Sequence, residues 1–178
     1  LAERAVETGA QLETGLRLVN AVKAADGYVL EFRDALGQAY ETLARTVVDA
    51  SGKRGRFARS RGARPRYHDK LVCIPGTFTL LDAASLGKLT MLESCPFGWW
   101  YAARLSDSRA IVAAASDAHL VRELQLTRRE TWLWHLSGTS RIANEIAAST
   151  FEPSSFRVHP CPSFRLDPAH GADWMAIG

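Results

Sequence analysis

Residues 46–59, TVVDASGKRGRFAR, constrain this chain more than any other stretch. Val47 and Val48 read as a short buried strand that ends in Asp49, and Ala50, Ser51 and Gly52 then turn the chain into a basic run. An apolar strand closed by a carboxylate and a glycine is how open α/β sheets present a ligand at a strand's carboxyl end. The rest of the chain has to supply partners for that strand.

Lys53, Arg54, Arg56, Arg59, Arg61, Arg64 and Arg66 follow within fourteen residues, although the net charge over all 178 residues is only +3. A nucleic-acid surface needs a basic helix or an aromatic platform as well as charge, and neither adjoins this run. It therefore reads as a solvated or phosphate-facing loop, and no nucleic-acid partner is expected. No apolar run approaches the roughly 20 residues that cross a bilayer, so no membrane span is expected. Cys73, Cys95 and Cys161 form no CxxC pair and suit a reducing cytoplasm better than a disulfide framework. His68, His119, His135, His159 and His170 have no metal-ligand spacing, and no metal is expected.

In chain order, Leu1 to Thr8 has helical spacing and Gly9 stops it; Gln11 to Ala24 reads as extended. Asp26-Gly27 signals a hairpin, after which Tyr28, Leu30 and Phe32 alternate with Val29, Glu31 and Arg33. Tyr40 to Asp49 returns after a turn at Asp34 to Gly37. Pro65 is expected to break the chain. Leu71 to Leu81, Leu89 to Cys95, Trp99 to Leu105 and Ala110 to Ala115 are strand-like, joined by Pro96-Phe97-Gly98 and Ser106-Asp107-Ser108. Links this short pair neighbouring strands antiparallel.

Three helices should follow: one capped by Asp117, one opened by a Thr127/Glu130 capping box and stopped by Gly138, and one starting at Ser140. Phe151 to Phe164 reads as extended, and Asp173 to Gly178 as a final buried strand.

Strand alternation puts Trp99 and Tyr101 on one face and Trp100, Ala102 and Arg104 on the other, so one row lines a pocket and the other packs under helices. Asp69 and Glu93 border these strands and could orient a ligand. Ser51 and Ser163 lack the pattern of a serine triad, and no catalytic residue is assigned.

Asp49, Gly52 and Arg59 resemble the second nucleotide-contacting motif of FAD-dependent monooxygenases of the para-hydroxybenzoate hydroxylase type, with Ala50 where that family has a glycine. Gly98-Trp99-Trp100-Tyr101 falls in the register of the GWxWxIP signature of flavin-dependent tryptophan halogenases. Tyr101 and Arg104 replace its second Trp and its Pro, so the segment is more similar to monooxygenase-like relatives that hydroxylate tryptophan in precursors of quinone-bearing enzymes. Asp173 to Gly178 resembles the strand before the family's Gly-Asp motif.

The resemblance implies an internal excerpt of a flavin-dependent monooxygenase, without its GxGxxG fingerprint or the Asp after Gly178, and inactive by itself. The implied fold is α+β: a mainly antiparallel substrate-domain sheet with packed helices, plus remnants of an FAD-binding α/β domain. Residues 1–64 would belong to the FAD-binding domain, 65–165 to the substrate domain, and 166–178 to a return strand. FAD would be the cofactor, with NAD(P)H or a partner reductase as electron donor. Asp49, Gly52, Arg54, Arg56, Arg59 and Gly178 would contact it, and Trp99, Tyr101 and Glu93 would meet a small-molecule or peptide aromatic substrate.

The alternatives are an isoprenoid-type flavin reductase, a halogenase with a degenerate signature, or a non-catalytic lipid- or peptide-binding domain. The flavin reading requires that the tip of the Asp49 strand and the end of Ile177 lie side by side.

Overall fold

The structure, a computed structural model, describes residues 2–81, 86–87 and 89–177. The fold is α+β with mostly antiparallel sheets. It divides into two units, Leu1–Arg66 with Arg165–Gly178, and Tyr67–Phe164.

The first unit opens with α1 (Ala2–Glu7) and a meander of β1 (Arg17–Ala24), β2 (Gly27–Arg33) and β3 (Ala39–Ala44). Gly27 makes the first hairpin possible: its φ is 130°, and a side chain there would strike the Ala44 carbonyl. Tyr28 and Leu30 are buried while Arg33 is exposed, as the alternation requires. β4 (Val47–Asp49) comes next.

The basic run then departs from the expected loop, because it contains a helix, α2 (Arg56–Ser60). The reason is apolar: Phe57 and Ala58 are buried, and Phe57 meets Tyr28 and Trp174 edge-on at ring distances of 4.9 and 6.2 Å. Pro65 does not break the chain either. It sits within β5 (Arg64–Tyr67), in a ribbon of only two strands, where a missing N–H sacrifices little of the ladder.

The second unit holds β6 (Leu71–Thr79), β7 (Met91–Cys95), β8 (Gly98–Ser106) and β9 (Arg109–Asp117). Helices α3 (Ala118–Glu123), α4 (Arg129–Ser137) and α5 (Ile142–Glu145) follow, then β10 (Thr150–Glu152) and β11 (His159–Pro160). The strand order is β10-β6-β9-β8-β7, with β11 also on β6, and every pairing is antiparallel. Pro75 is tolerated inside β6 because it falls between the stretches paired to β11 (residues 72–73) and β10 (residues 77–79).

One face of this sheet carries the core. Ile74, Phe78, Trp100, Ala102, Val112 and Ala114 pack against Val121, Trp132, Leu136 and Ile142 of the helices. Trp132 is fully buried, and its Nε1 donates to the Ile74 carbonyl at 3.1 Å. Gly76 makes room for it: a Cβ there would come within 3.1 Å of the indole.

The helix starts differ from expectation in detail. Asp117 is at the N-cap of α3, but its side chain makes no capping bond. The Thr127/Glu130 box does not form, since α4 begins at Arg129. Burial of Leu126, whose N–H bonds the Val121 carbonyl at 3.0 Å, fixes where the chain re-enters the helix. Gly138 does end α4.

The chain then returns to the first unit. β12 (Phe164–Asp167) pairs with β5, and β13 (Trp174–Ala176) lies parallel to β4 with Ala176 opposite Asp49. Among the described residues no helix is long and apolar enough to cross a membrane, and no three His, Cys, Asp or Glu side chains cluster as metal ligands.

Candidate functional site

Two regions carry the predicted site residues, one in each unit. In the first unit, β4 and β13 end together: the Ile177 N–H donates to the Asp49 carbonyl at 3.0 Å, and the Val47 N–H to the Asp173 carbonyl at 3.0 Å. The strand tips thus lie side by side, as the flavin reading requires. The carboxyl ends of parallel strands are the usual ligand position in α/β sheets.

Asp49 is only 6% exposed. Its Oδ1 accepts from the Ser51 N–H (3.0 Å) and Ser51 Oγ (2.6 Å), and its Oδ2 from the Ala58 N–H (2.9 Å). Ser51 Oγ in turn accepts from the Arg56 N–H at 3.0 Å. Burial pushes the carboxyl up, but the bonds from Ser51, Ala58 and Phe57 outweigh it and hold Asp49 below the usual carboxylate range. This carboxylate therefore shapes the loop that follows the strand.

Gly52 has φ of 60°, with open space where a side chain would stand. Gly55 has φ of 45° and begins α2, close enough to Leu166 that a Cβ would lie 2.9 Å from its Cδ1.

The seven cations of the run separate into two groups. The Arg61 guanidinium donates to the Ala21 carbonyl at 2.9 Å and lies over the rings of Tyr28 and Phe57, 5.5 Å from each. Arg66 pairs with Asp167 at 2.6 Å. Lys53, Arg54, Arg56, Arg59 and Arg64 are exposed and have no acidic partner among the described residues. Open backbone at Gly52 beside Lys53, Arg54 and Arg56 suits a group with phosphate charge. Gly178 lies outside the described residues.

In the second unit, Trp100 is 1% exposed within the core, whereas Trp99 is 39% exposed and Tyr101 half-buried on the opposite face. Register places Ser94, Trp99, Ala115, Cys73 and His159 in one row across five strands, and Leu92, Tyr101, Ala113 and Pro75 in the next. Small residues beside two large rings make an apolar, aromatic-edged surface.

Glu93 is engaged elsewhere. One carboxylate oxygen accepts from the Ser140 N–H and from Ser140 Oγ (3.0 Å), the other from the N–H groups of Arg141 and Ile142 (3.1 Å each). Burial opposes the charge, and these bonds overcome it, leaving Glu93 below its ordinary range. The side chain holds the first turn of α5. Asp69 similarly fastens a loop, its Oδ1 accepting from the N–H groups of Leu71 (3.1 Å) and Ser163 (2.9 Å) beside a cavity of about 520 Å³.

Sequence reasoning missed Phe57 and Ser51 as the residues that give the Asp49 loop its shape. The one aromatic in a basic run was the available signal for Phe57.

No family model matches the chain. LodB of Marinomonas mediterranea, provisionally named an FAD-dependent oxidoreductase, is 34% identical over 103 residues, which are 58% of this chain and 28% of LodB. A flavoprotein/dehydrogenase from Cytophaga hutchinsonii superposes with a TM-score of 0.76 at 17% identity, covering 98% of this chain and 44% of that one. The flavin-dependent brominase Bmp2 superposes with a TM-score of 0.73 at 16% identity, covering 99% and 45%. For the peptidyl tryptophan dihydroxylase QhpG the values are 0.62 and 22%, covering 99% and 39%. The chain thus has the fold found in flavin-dependent halogenases and aromatic hydroxylases, and it spans less than half the length of these three structures.

Proposed function

We propose that the full-length protein is an FAD-dependent monooxygenase that hydroxylates an electron-rich, tryptophan-like aromatic substrate. The observation that carries this reading is the parallel register of β13 and β4, with Ala176 opposite Asp49 and both strands opening at one end. The 34% identity to LodB and the overall likeness to QhpG and Bmp2 support it. Tyr101 and Arg104 depart from the halogenase signature, which favours hydroxylation.

Asp49, through Ser51 and Ala58, fixes the turn so that Gly52 presents open backbone to the cofactor. Arg54, Arg56 and Arg59 meet its phosphate charge. Gly178, the residue after Ile177 in the chain, is assigned to the cofactor as well. FAD, when bound and reduced by NAD(P)H or a partner reductase, supplies the oxygen chemistry, so the protein needs to bind, orient and exclude water. Trp99 and Tyr101 provide the face against which the substrate ring lies.

Visible absorption of the purified full-length protein tests the reading. A flavin spectrum is expected, with FAD retention reduced at least tenfold in an Arg54→Ala/Arg56→Ala/Arg59→Ala variant. Trp99→Ala should keep FAD and lose substrate-dependent oxygen consumption. A folded protein that takes up no FAD removes the assignment.

A further inference from the structure

The helix-covered side of the second unit's sheet has a feature that the proposed flavin chemistry does not use. Between the turn after β7 and the end of α4 lies a cavity of about 360 Å³, whose lining includes Phe97, Trp100, Trp134, His135 and Cys95. The rings are arranged edge to face: Phe97 to Trp100 at 6.2 Å and 76°, Phe97 to His135 at 5.1 Å and 76°, Trp134 to His135 at 4.7 Å and 77°. Such arrangements leave ring faces and edges ready for one more ring. Trp134 stands at the mouth with 70% of its surface exposed, while Trp132 and Leu136 of the same helix are buried in the core. Leaving so much indole in water is unfavourable, and an apolar occupant would relieve it.

The hydrogen-bonding groups around this cavity are nearly all satisfied internally. Glu93 is held by residues 140–142. Ser137 Oγ donates to the Trp134 carbonyl at 2.7 Å. Thr139 Oγ donates to the Leu136 carbonyl at 2.8 Å and accepts from the Ala143 N–H at 2.9 Å. The Cys95 sulfur receives the N–H groups of Phe97 and Gly98. Ser94 also borders the cavity, with its side chain on the opposite face by strand alternation. Among the lining side chains on the helix-covered face, that leaves His135, whose ring nitrogens have no hydrogen-bond partner among the described residues. Burial disfavours its charged form, so at neutral pH it offers one N–H and one lone pair.

We infer that this cavity is a second small-molecule site, shaped for a neutral one- or two-ring aromatic carrying a single hydroxyl or ring N–H, of the phenol or indole class. A carboxylate would meet one imidazole and no free cation among the lining residues. An ammonium would meet a Glu93 carboxylate whose lone pairs are already engaged.

Equilibrium dialysis of the full-length protein against indole and against phenol provides the test, with benzoate and tryptamine as charged comparisons. A saturable component is expected for indole or phenol that is weakened at least tenfold in both Trp134→Ala and His135→Phe and persists in Trp99→Ala, which removes only binding at the proposed substrate face. The charged probes should bind at least tenfold more weakly. His135→Phe keeps a ring against Phe97, so far-UV circular dichroism should match the parent and loss of binding then reports the imidazole. Absence of saturable binding would overturn the site, as would binding that Trp134→Ala leaves unchanged or that Trp99→Ala abolishes. Because the readout needs no flavin, a protein that holds indole through Trp134 yet takes up no FAD would leave this site standing and remove the flavin reading.

Discussion

Asp49 and Glu93 do the same physical job in different ways. Each is a carboxylate on a strand that accepts backbone N–H groups at the start of a helix, and each is held below its ordinary range. Asp49 finds its donors at Ser51 and Ala58, within nine residues of itself, whereas Glu93 reaches Ser140, Arg141 and Ile142, up to 49 residues away. The first arrangement is local: strand, turn and helix are written in one stretch. The second depends on the whole sheet, since β7 must be in place before α5 can be capped. A short-range carboxylate can shape its loop early in folding, while a long-range one stabilises the finished unit.

Trp132 anchors the unit to which Glu93 belongs, so its removal should produce the largest effect. Trp132→Ala should cost about 3–5 kcal/mol, because it empties a fully buried indole site and removes the Nε1 donor from the Ile74 carbonyl. Urea denaturation checks this, and a loss below about 1 kcal/mol would mean the core is not organised around that ring.

Asp49→Ala should cost about 2–3 kcal/mol by leaving the Ala58 N–H buried without its acceptor, with Asp49→Asn recovering part of the loss. If the two variants were equally stable, the carboxylate would not be shaping the loop.

Glu93→Gln should cost about 1 kcal/mol, since the first turn of α5 lies nearer to solvent and keeps one oxygen acceptor. Its pH dependence sharpens the contrast. The folded carboxyl is depressed from an ordinary 4.5, so the unfolded chain binds more protons between the two values. The stabilisation is therefore full above about pH 4.5 and is lost as the pH falls through the folded value. Acid titration followed by circular dichroism should show a shallower loss of stability in Glu93→Gln than in the parent.

The smallest change is expected at the Arg66–Asp167 pair, which is short at 2.6 Å but has its guanidinium 67% exposed. Arg66→Ala should shift stability by less than about 0.5 kcal/mol, because exposed pairs gain little over water. A larger shift would mark the β5–β12 ribbon as a structural clamp.

Much of the fold was legible in the chain. Alternation along β2 and β8, the short links between β7, β8 and β9, and Gly138 at the end of α4 each reflect a rule that acts over a few residues. The adjacency of Asp49 and Ile177 was also expected, from the order of motifs that resemble a known family. The helix in the basic run was missed, because Phe57 is drawn inward by Tyr28 and Trp174, and Trp174 lies more than a hundred residues away. The Thr127 capping box failed for a similar reason, with burial of Leu126 overriding a local preference.

The sequence by itself determined which residues could form strands, where turns could fall, and that a carboxylate would close the β4 strand. Tertiary structure decided the assignments that depend on distant partners: that Glu93 caps α5, that Arg61 covers Tyr28 and Phe57 while Arg54 and Arg56 stay exposed, and that His135 faces a cavity with no hydrogen-bond partner for its ring nitrogens among the described residues. Backbone periodicity and turn chemistry are set by neighbours in the chain. The partner of a charge or a ring is set by whichever groups packing brings within a few ångströms, and no local pattern records that.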